Sequence, residues 1–334
     1  MDARTLRARS RELVRELGMF APQCCATPLT PVEVHLLIEL ESGPLTNNQL
    51  AERLRVDKSN TSRPLSRLQE RELVIRQPHA VDGRSQELGL TASGQRLLHE
   101  LHRDLDQHSD QVLAQLSPQE QQQLQQGLEL YLRALQSHRL QQGYQIRRLQ
   151  PEDQSAIAQV IRLVSAEHGL TADKGYGVAD PTLDQLYPQY QGSDRAYWVI
   201  TDAQGAILGG GGIAPLQGAN GAVCELQKMY FLPELRGKGL GRRLVLQALA
   251  FARQSGYSCC YLETTAALRQ AERLYQSLGF RHLQTAMGNT GHCDCEIRMS
   301  LELTPELSPV DRQTTTTMTA ACHCAGAADQ NNDA

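Results

Sequence analysis

The residues with the clearest chemical potential in this chain form a glycine-spaced turn that follows an apolar segment and opens a helix. The turn reads Arg236-Gly-Lys-Gly239-Leu-Gly241-Arg242. Gly239 and Gly241 lack a Cβ atom, so a phosphate can approach the backbone closely, while exposed N–H groups and the helix dipole supply positive charge. Residues 226–232 have a strand pattern and residues 242–254 a helix pattern, which is the context that a phosphate-binding turn requires. The sequence therefore predicts a pyrophosphate site; a turn that serves packing alone is the alternative.

Length and composition limit what can surround this turn. The 334 residues suffice for two domains and a tail, and 40% apolar with 21% charged residues is ordinary for a soluble protein. The net charge of -4 argues against a protein that coats nucleic acid by bulk charge, so DNA contact needs a local basic patch. No stretch approaches the roughly twenty apolar residues of a membrane span, and no signal peptide pattern is present. We therefore expect a cytoplasmic protein with no membrane partner.

A local basic patch is found in residues 46–71, which have the pattern of two short helices separated by a turn. Thr46 is placed to cap the first helix and Asp57 the second. Over residues 51–76, seven Arg or Lys residues stand against four Asp or Glu residues. Leucines occupy the inward face of the second helix, and its other face carries small and basic side chains: Ser59, Asn60, Thr61, Arg63 and Arg67. The pattern predicts a helix-turn-helix.

A hairpin and two long helices complete the first region. Residues 73–77 and 85–90 have strand patterns around a turn at Asp82-Gly83, and Thr91 and Ser117 then begin helices. Residues 1–142 resemble the MarR family of winged-helix transcriptional regulators, through Asp57-Lys-Ser, Asp82-Gly-Arg84 and Leu90-Thr-x-x-Gly94.

The MarR resemblance implies a homodimer that binds a palindromic operator in double-stranded DNA. It places the second helix in the major groove and the wing arginine in the minor groove, so the expected DNA-binding residues are Ser59, Asn60, Thr61, Arg63, Arg67 and Arg84. Pro64 departs from a regular recognition helix, since proline removes one backbone hydrogen bond. We expect a kink there that affects Arg67 more than the residues before it.

The second region alternates strand and helix patterns. Arg236-x-x-Gly239-x-Gly241 and Tyr275-x-x-x-Gly279-Phe280 resemble motifs of the GNAT acetyltransferases over residues 143–303. Residues 304–334 have few large apolar side chains, so they cannot offset the entropy of ordering and are expected to be a disordered tail. The expected fold class is α+β multidomain, with a mostly α winged helix-turn-helix domain followed by an α/β GNAT domain.

The GNAT resemblance implies acetyl-CoA as cosubstrate and assigns roles to individual residues. Tyr275 is the candidate acid that protonates the leaving thiolate, with a core aromatic as the alternative. Glu225 is the candidate acceptor of the amine proton, with a structural salt bridge to Lys228 or an arginine as the alternative. The backbone of Met229, Tyr230 and Phe231 is expected to pair with the pantetheine, and the phosphates are expected on Arg236, Gly237, Lys238, Gly239, Leu240, Gly241 and Arg242. The acceptor is a small amine or a protein lysine.

Eight of the nine cysteines fall in closely spaced pairs, which does not indicate a disulfide framework in a cytoplasmic protein. Cys24, Cys25, Cys322 and Cys324 are candidates for a soft-metal or As(III) site; redox sensing and simple burial are the alternatives. Cys259 and Cys260 lie in a strand pattern, where alternation sends their side chains to opposite faces.

Three functional hypotheses remain from the sequence. The first is a DNA-binding regulator fused to an active N-acetyltransferase. The second is a regulator whose GNAT domain only senses acetyl-CoA or an effector, and the third is a regulator that responds to soft metals, arsenic or redox state through its thiols.

Overall fold

The computed structural model describes residues 1–24, 27–78, 86–170, 178, 180–289 and 295–303. The chain divides into two compact units, the first ending at Leu128 and the second beginning at Glu129. The division falls inside a helix rather than at residue 142, and the domain boundaries proposed from the sequence remain predictions. Among the described residues, no helix is both long and apolar enough to cross a bilayer.

The first unit combines helices with a small antiparallel sheet in the strand order β1-β3-β2. Its strands are β1 (Leu45–Thr46), β2 (Val74–Pro78) and β3 (Gln86–Leu90). Its helices are α1 (Ala3–Glu16), α2 (Pro31–Leu40), α3 (Asn47–Leu54), α4 (Lys58–Glu70), α5 (Ala92–Leu113) and the first part of α6 (Pro118–Leu140). The predicted helix-turn-helix is α3 and α4, and the predicted hairpin is β2 and β3; strand β1 was not predicted.

Three helices of this unit begin at side-chain caps that the sequence predicts, at Thr46, Thr91 and Ser117. Thr46 and Gln49 form a reciprocal capping box on α3, and Thr91 accepts a hydrogen bond from the Gly94 N–H on α5. Asp57 occupies the cap position of α4 in an extended conformation, but its side chain makes no capping hydrogen bond. The predicted side-chain cap at Asp57 is therefore wrong, although the helix begins where expected.

Leucines from α2, α3, α4 and α5 form the core of the first unit. The side chains with 2% exposure or less include Leu36, Leu37, Leu50, Leu65, Leu68 and Leu101. By contrast, α6 has no buried residue among those described, and apolar side chains of α5 and α6 are 38–55% exposed: Val112, Leu113, Leu124, Leu128, Leu130, Leu132, Leu135 and Leu140.

The second unit is built on a seven-stranded sheet in the order β4-β5-β6-β7-β8-β10-β9, and among its described strands only the β7–β8 pair is parallel. The strands are β4 (Gln145–Arg148), β5 (Ala196–Thr201), β6 (Ile207–Pro215), β7 (Val223–Phe231), β8 (Cys259–Thr264), β9 (Arg281–Leu283) and β10 (Ile297–Glu302). The helices are α7 (Gln154–Glu167), α8 (Leu186–Gln189), α9 (Leu240–Gln254) and α10 (Arg269–Ser277).

Both faces of this sheet are covered. The side chain of Cys260 lies in the core that contains α9, while that of Cys259 lies in a separate cluster with Tyr261. The predicted alternation of these two cysteines is therefore confirmed. Cys224 lies directly opposite Cys260 on the parallel strand β7 and is fully buried.

Candidate functional site

Strands β7 and β8 separate in the middle of the sheet. They pair only over Val223–Glu225 with Cys259–Tyr261. Beyond this point β7 is paired with β6 and β8 with β10, so no described strand pairs with the β8-facing side of β7 over residues 229–231. A strand edge of this kind can accept an extended ligand as an added strand.

A bulge in β7 lies at the start of this gap. Lys228 adopts a left-handed conformation with φ of 51°, and the β6–β7 register shifts between Gly210 and Gly212. A Cβ atom on Gly211 would collide with the Met229 Sδ atom, so the Met229 side chain would have to move to admit any other residue here. The bulge bends the strand away from its neighbour and directs the following backbone into the gap.

The gap continues as a long cleft of about 570 Å³. It is lined by residues of β7, of the turn before α9, and of α10, including Met229, Tyr230, Phe231, Arg236, Gly237, Gly239, Gly241, Arg242, Leu274 and Tyr275. Eight of these ten were predicted to bind the cosubstrate and a ninth, Tyr275, to act on it. We refer to this feature as the cosubstrate cleft.

The N-terminus of α9 opens onto the cosubstrate cleft without a side-chain cap. Gly239 precedes the helix with φ of 74°, and the first turn of the helix contains no acidic residue. The first intrahelical hydrogen bond runs from the Arg243 N–H to the Gly239 carbonyl. The N–H groups of Leu240, Gly241 and Arg242 therefore have no acceptor within the helix and can bind an anion.

Two of the predicted phosphate-binding side chains are used elsewhere in the protein. The Arg236 guanidinium makes two hydrogen bonds of 2.5 Å with the Glu167 carboxylate on α7 and also donates to the Phe231 carbonyl. The Lys238 ammonium lies 4.7 Å from the centre of the Tyr144 ring. Leu240 is fully buried, so only its backbone can reach a ligand. The loop therefore presents mainly backbone groups, with Arg236 positioning the end of β7.

A small pocket of about 90 Å³ adjoins the cosubstrate cleft and shares Met229, Tyr230 and Tyr275 with it. Tyr275 is 6% exposed and packs against Phe280 with ring centroids 5.7 Å apart. Burial, with smaller effects from Cys260 and Tyr230, raises the pKa of the Tyr275 phenol above its ordinary range. The hydroxyl therefore stays protonated at neutral pH. Tyr275 packs in the core and also lines the junction of the small pocket with the cosubstrate cleft. The two alternatives from the sequence, candidate acid and core aromatic, are therefore compatible.

Two carboxylates line the small pocket. Glu225 is 4% exposed and accepts a hydrogen bond of 2.6 Å from Gln227. Glu263 accepts one of 2.6 Å from the Tyr261 hydroxyl. Lys228, one of the two alternative partners expected for Glu225, instead forms an ion pair of 2.9 Å with Asp180. Burial, with smaller effects from Glu263, Glu296 and Glu225, raises the pKa of the Cys295 thiol in this pocket to about 12.

Helix α4 presents only part of its predicted DNA-binding set. Ser59, Asn60 and Arg63 are exposed. Thr61 is fully buried, and its hydroxyl donates to Asn47 Oδ1 on α3 at 2.5 Å and to the Lys58 carbonyl. We therefore assign Thr61 to the packing of α3 against α4 and leave it out of the proposed DNA-binding residues.

Arg67 also has an internal partner. Its Nε donates to Glu33 Oε1 at 2.6 Å, and Glu33 on α2 is 1% exposed. Burial raises the pKa of Glu33, but hydrogen bonds from Arg67 and Thr30 outweigh that effect and hold the pKa below its ordinary value. Pro64 lies inside α4, which still runs unbroken through Arg67. Arg67 is thus engaged by its ion pair with Glu33, whereas its contact with DNA stays a prediction.

Several predicted residues lie outside the described part of the chain: Arg84, Cys25, Cys322 and Cys324. Cys24 is half-buried and packs on the core of the first unit, with its N–H donating to the Leu29 carbonyl. Among the described residues, no group of three or more His, Cys, Asp or Glu side chains is arranged to hold a metal ion. Metal, arsenic or redox sensing by the cysteines stays a prediction.

The sequence did not indicate three features of the site: the Glu167 partner of Arg236, the Lys228–Asp180 ion pair, and the contact of Cys224 with Cys260. Each joins residues from separate parts of the chain, and in all three pairs the residues are more than thirty positions apart. Nothing in the sequence predicts the positive φ of Lys228 in β7. The run of four glycines in β6 does indicate close approach of another group.

The cleft, the uncapped glycine turn and the separated parallel strands define a protein of the acyl-CoA-binding N-acyltransferase class. Residues 163–280 match the acetyltransferase (GNAT) family and residues 27–85 match the MarR family. The uncharacterized N-acetyltransferase YjgM of Escherichia coli K12 is 59% identical over 158 residues, which are 47% of this chain and 94% of that protein. The chain belongs to the GNAT N-acetyltransferase family and carries a MarR-type region.

Two further relatives are more distant. Human N-acetylaspartate synthetase is 36% identical over 104 residues, covering 30% of this chain and 32% of that protein. The crystal structure of a GNAT family acetyltransferase from Staphylococcus aureus Mu50 has a TM-score of 0.44 at 16% identity, and the match covers 48% of this chain and 99% of that one. The similarity to the Staphylococcus aureus protein supports no conclusion about function. The family match and the Escherichia coli relative identify this chain as an acetyl-CoA-dependent N-acetyltransferase.

Proposed function

We propose that this protein is a cytoplasmic, homodimeric, DNA-binding transcriptional regulator that also acetylates a small amine or a protein lysine. The acetyltransferase part of this proposal rests on one observation: β7 separates from β8 beside the uncapped N-terminus of α9. That arrangement offers a strand edge and an anion site within one cleft, which suits a ligand that joins an extended amide chain to a pyrophosphate.

The residues of the cleft can bind and orient acetyl-CoA in the proposed way. Backbone groups of Met229 to Phe231 hold the pantetheine, and the amides of the α9 N-terminus hold the phosphates. The thioester then lies at the junction of the cleft with the small pocket, where Tyr275 is found.

The proton transfers follow from the groups at this junction. The amine nitrogen of the acceptor attacks the thioester carbonyl, the new C–N bond forms and the C–S bond breaks. Glu225 accepts the proton from the amine, directly or through water, and Tyr275 donates its hydroxyl proton to the leaving thiolate. Burial keeps Tyr275 protonated for this step.

The acceptor is best sought among small amines that fit a pocket lined by two carboxylates, Glu225 and Glu263. The small volume favours a compact amine or the end of a lysine side chain. A distant relative is named for N-acetylaspartate synthesis, so amino acids belong in the first panel to be tested.

The test is acetyl-CoA turnover by the full chain across amino acids, polyamines, aminoglycosides and lysine peptides, monitored by release of free thiol. We expect amine-dependent turnover that falls by about 10² in Tyr275→Phe. Tight binding of acetyl-CoA with no turnover on any acceptor would support the second hypothesis, in which this domain only senses the ligand.

The MarR-type region supports the regulatory half of the proposal. Ser59, Asn60 and Arg63 are exposed on α4 and can enter the major groove. The exposed leucines of α5 and α6 support a homodimer, since an apolar surface of this kind usually marks an interface. Sedimentation should show a dimer, and a fragment from the gene's own promoter should be bound with strong salt dependence. A monomer that shifts no such fragment would contradict this half alone.

A further inference from the structure

The C-terminal end of helix α6 contacts the glycine turn of the cosubstrate cleft. The Gln141 side chain, just beyond the helix, donates to the Lys238 carbonyl at 3.1 Å and accepts from Arg243 at 3.4 Å. A Cβ atom on Gly239 would lie 3.0 Å from Ser137 Oγ. These α6 residues precede the part of the chain that matches the acetyltransferase family, which begins at residue 163.

The contacting face of α6 continues to an arginine. Arg133, Ser137 and Gln141 are spaced by four residues, so they lie on one side of the helix. Arg133 is exposed and lies one turn before Ser137. It is near enough to Arg242 that its charge, added to the larger effect of burial, lowers the pKa of the Arg242 guanidinium.

Arg242 lines the cosubstrate cleft and donates to the Ser277 hydroxyl at 3.0 Å. In the described part of the chain, neither Arg133 nor Arg242 forms an ion pair with a carboxylate. Two guanidinium groups of like charge repel one another unless an anion lies between or beside them. Arg242 lines the cleft beside the turn proposed to bind phosphate, and a second guanidinium near it suits an anionic ligand.

We propose that Arg133 of helix α6 binds a phosphate group of acetyl-CoA together with Arg242. The inference rests on the proposed cosubstrate site and extends it to a helix outside the family match. The shared chemistry is a phosphate, which is either the 3′-phosphate of the adenosine or the pyrophosphate. Gln141 and Ser137 hold the helix against the turn and so position Arg133.

Calorimetric titration of the full chain with acetyl-CoA, at about 50 mM salt, tests this proposal. Arg133→Ala should weaken binding by about fivefold or more, Arg133→Lys should weaken it less, and the KM for acetyl-CoA should rise while kcat is retained. Arg139→Ala is the matched control, because Arg139 is an exposed arginine on another face of the same helix. Thermal unfolding curves should be alike for all four proteins.

A second arm uses 3′-dephospho-acetyl-CoA and identifies the phosphate. If the effect of Arg133→Ala disappears with this ligand, Arg133 binds the 3′-phosphate; if the effect persists, it binds the pyrophosphate, and both results support the proposal. Equal affinities of Arg133→Ala and Arg139→Ala for acetyl-CoA would overturn it while leaving the cosubstrate cleft intact. Failure of the unchanged protein to bind acetyl-CoA would overturn the cleft assignment itself.

Discussion

The glycine turn and helix α4 show two different relations between sequence and proposed site. At the turn, the proposed function falls mainly on backbone groups, and eight of the ten predicted residues line one cleft. On α4, the proposed function falls on side chains, and two of the five predicted there, Thr61 and Arg67, have partners inside the protein. A backbone site depends on a local conformation that glycines specify directly, whereas a side-chain site depends on which neighbours the fold brings near.

Arg236 shows that backbone groups and side chains differ in this way even within the glycine turn. It lies in the glycine turn, yet its guanidinium is directed to Glu167, sixty-nine residues earlier in the chain. The local sequence pattern predicts neither the side-chain partner of Arg236 nor that of Arg67. The backbone amides beside it, by contrast, lie where the motif predicts.

The largest expected effect concerns Tyr275, whose side chain lines the cosubstrate cleft. Tyr275→Phe removes only the hydroxyl and preserves the ring that packs on Phe280, so folding and acetyl-CoA affinity should be retained. Turnover should fall by about 10², as expected for loss of a general acid. Steady-state kinetics with the best acceptor, together with calorimetry, measures both quantities. A mutant with the original rate would make Tyr275 purely structural.

The next effect tests the internal role of Arg67. Arg67→Ala leaves the buried Glu33 carboxylate without its ion-pair partner, and because Arg67 is about half exposed we expect a loss of about 2 kcal/mol in the free energy of unfolding at pH 7. Urea denaturation of the full chain, followed at α-helical wavelengths, measures it. Arg63→Ala, on the exposed side of the same helix, is the control and should change stability little.

The pH dependence of this loss has a defined sign. The folded-state pKa of Glu33 is depressed, so the ion pair stabilises the protein above the unfolded-state pKa of about 4.3 and ceases to do so as pH falls through the folded-state value. The difference between Arg67→Ala and the unchanged protein should therefore shrink in acid. A difference that is constant from pH 7 to pH 3 would show that the loss comes from packing rather than from the carboxylate.

A third prediction concerns the backbone site. Gly241→Asp places a negative charge in the first turn of α9, beside the amides proposed to bind the phosphates, so acetyl-CoA affinity should fall about tenfold, or about 1.4 kcal/mol. A Cβ atom at this position would lie 3.4 Å from the Phe231 ring, which is an acceptable contact. Gly241→Ala is therefore a fair steric control and should bind nearly normally. Equal binding by Gly241→Asp would remove the phosphate assignment.

Much of the fold was predictable because its signals are local. The caps at Thr46 and Thr91, the hairpin, the strand alternation at Cys259 and the glycine turn each depend on a few neighbouring residues. The parts that were missed depend on tertiary contacts, such as the Asn47 partner of Thr61 and the Asp180 partner of Lys228. The predicted Asp57 cap is wrong for a smaller reason: residue type sets the helix start, but only the final rotamer decides whether the carboxylate reaches an N–H group.

The smallest expected effect compares two arginines of α4 in one measurement. Arg63 is exposed on α4, whereas Arg67 is paired with Glu33, so the two arginines should differ in their contribution to DNA binding although they lie one turn apart. Arg63→Ala should weaken binding of a promoter fragment by about 1 kcal/mol and lower the slope of log K against log salt by about 1, as for loss of one phosphate contact. Arg67→Ala, measured at a temperature where it is fully folded, should leave that slope unchanged. Fluorescence anisotropy at four salt concentrations distinguishes the two. If both mutants lose the same slope, the ion pair with Glu33 opens on DNA, and the internal contacts of α4 do not determine which of its side chains bind.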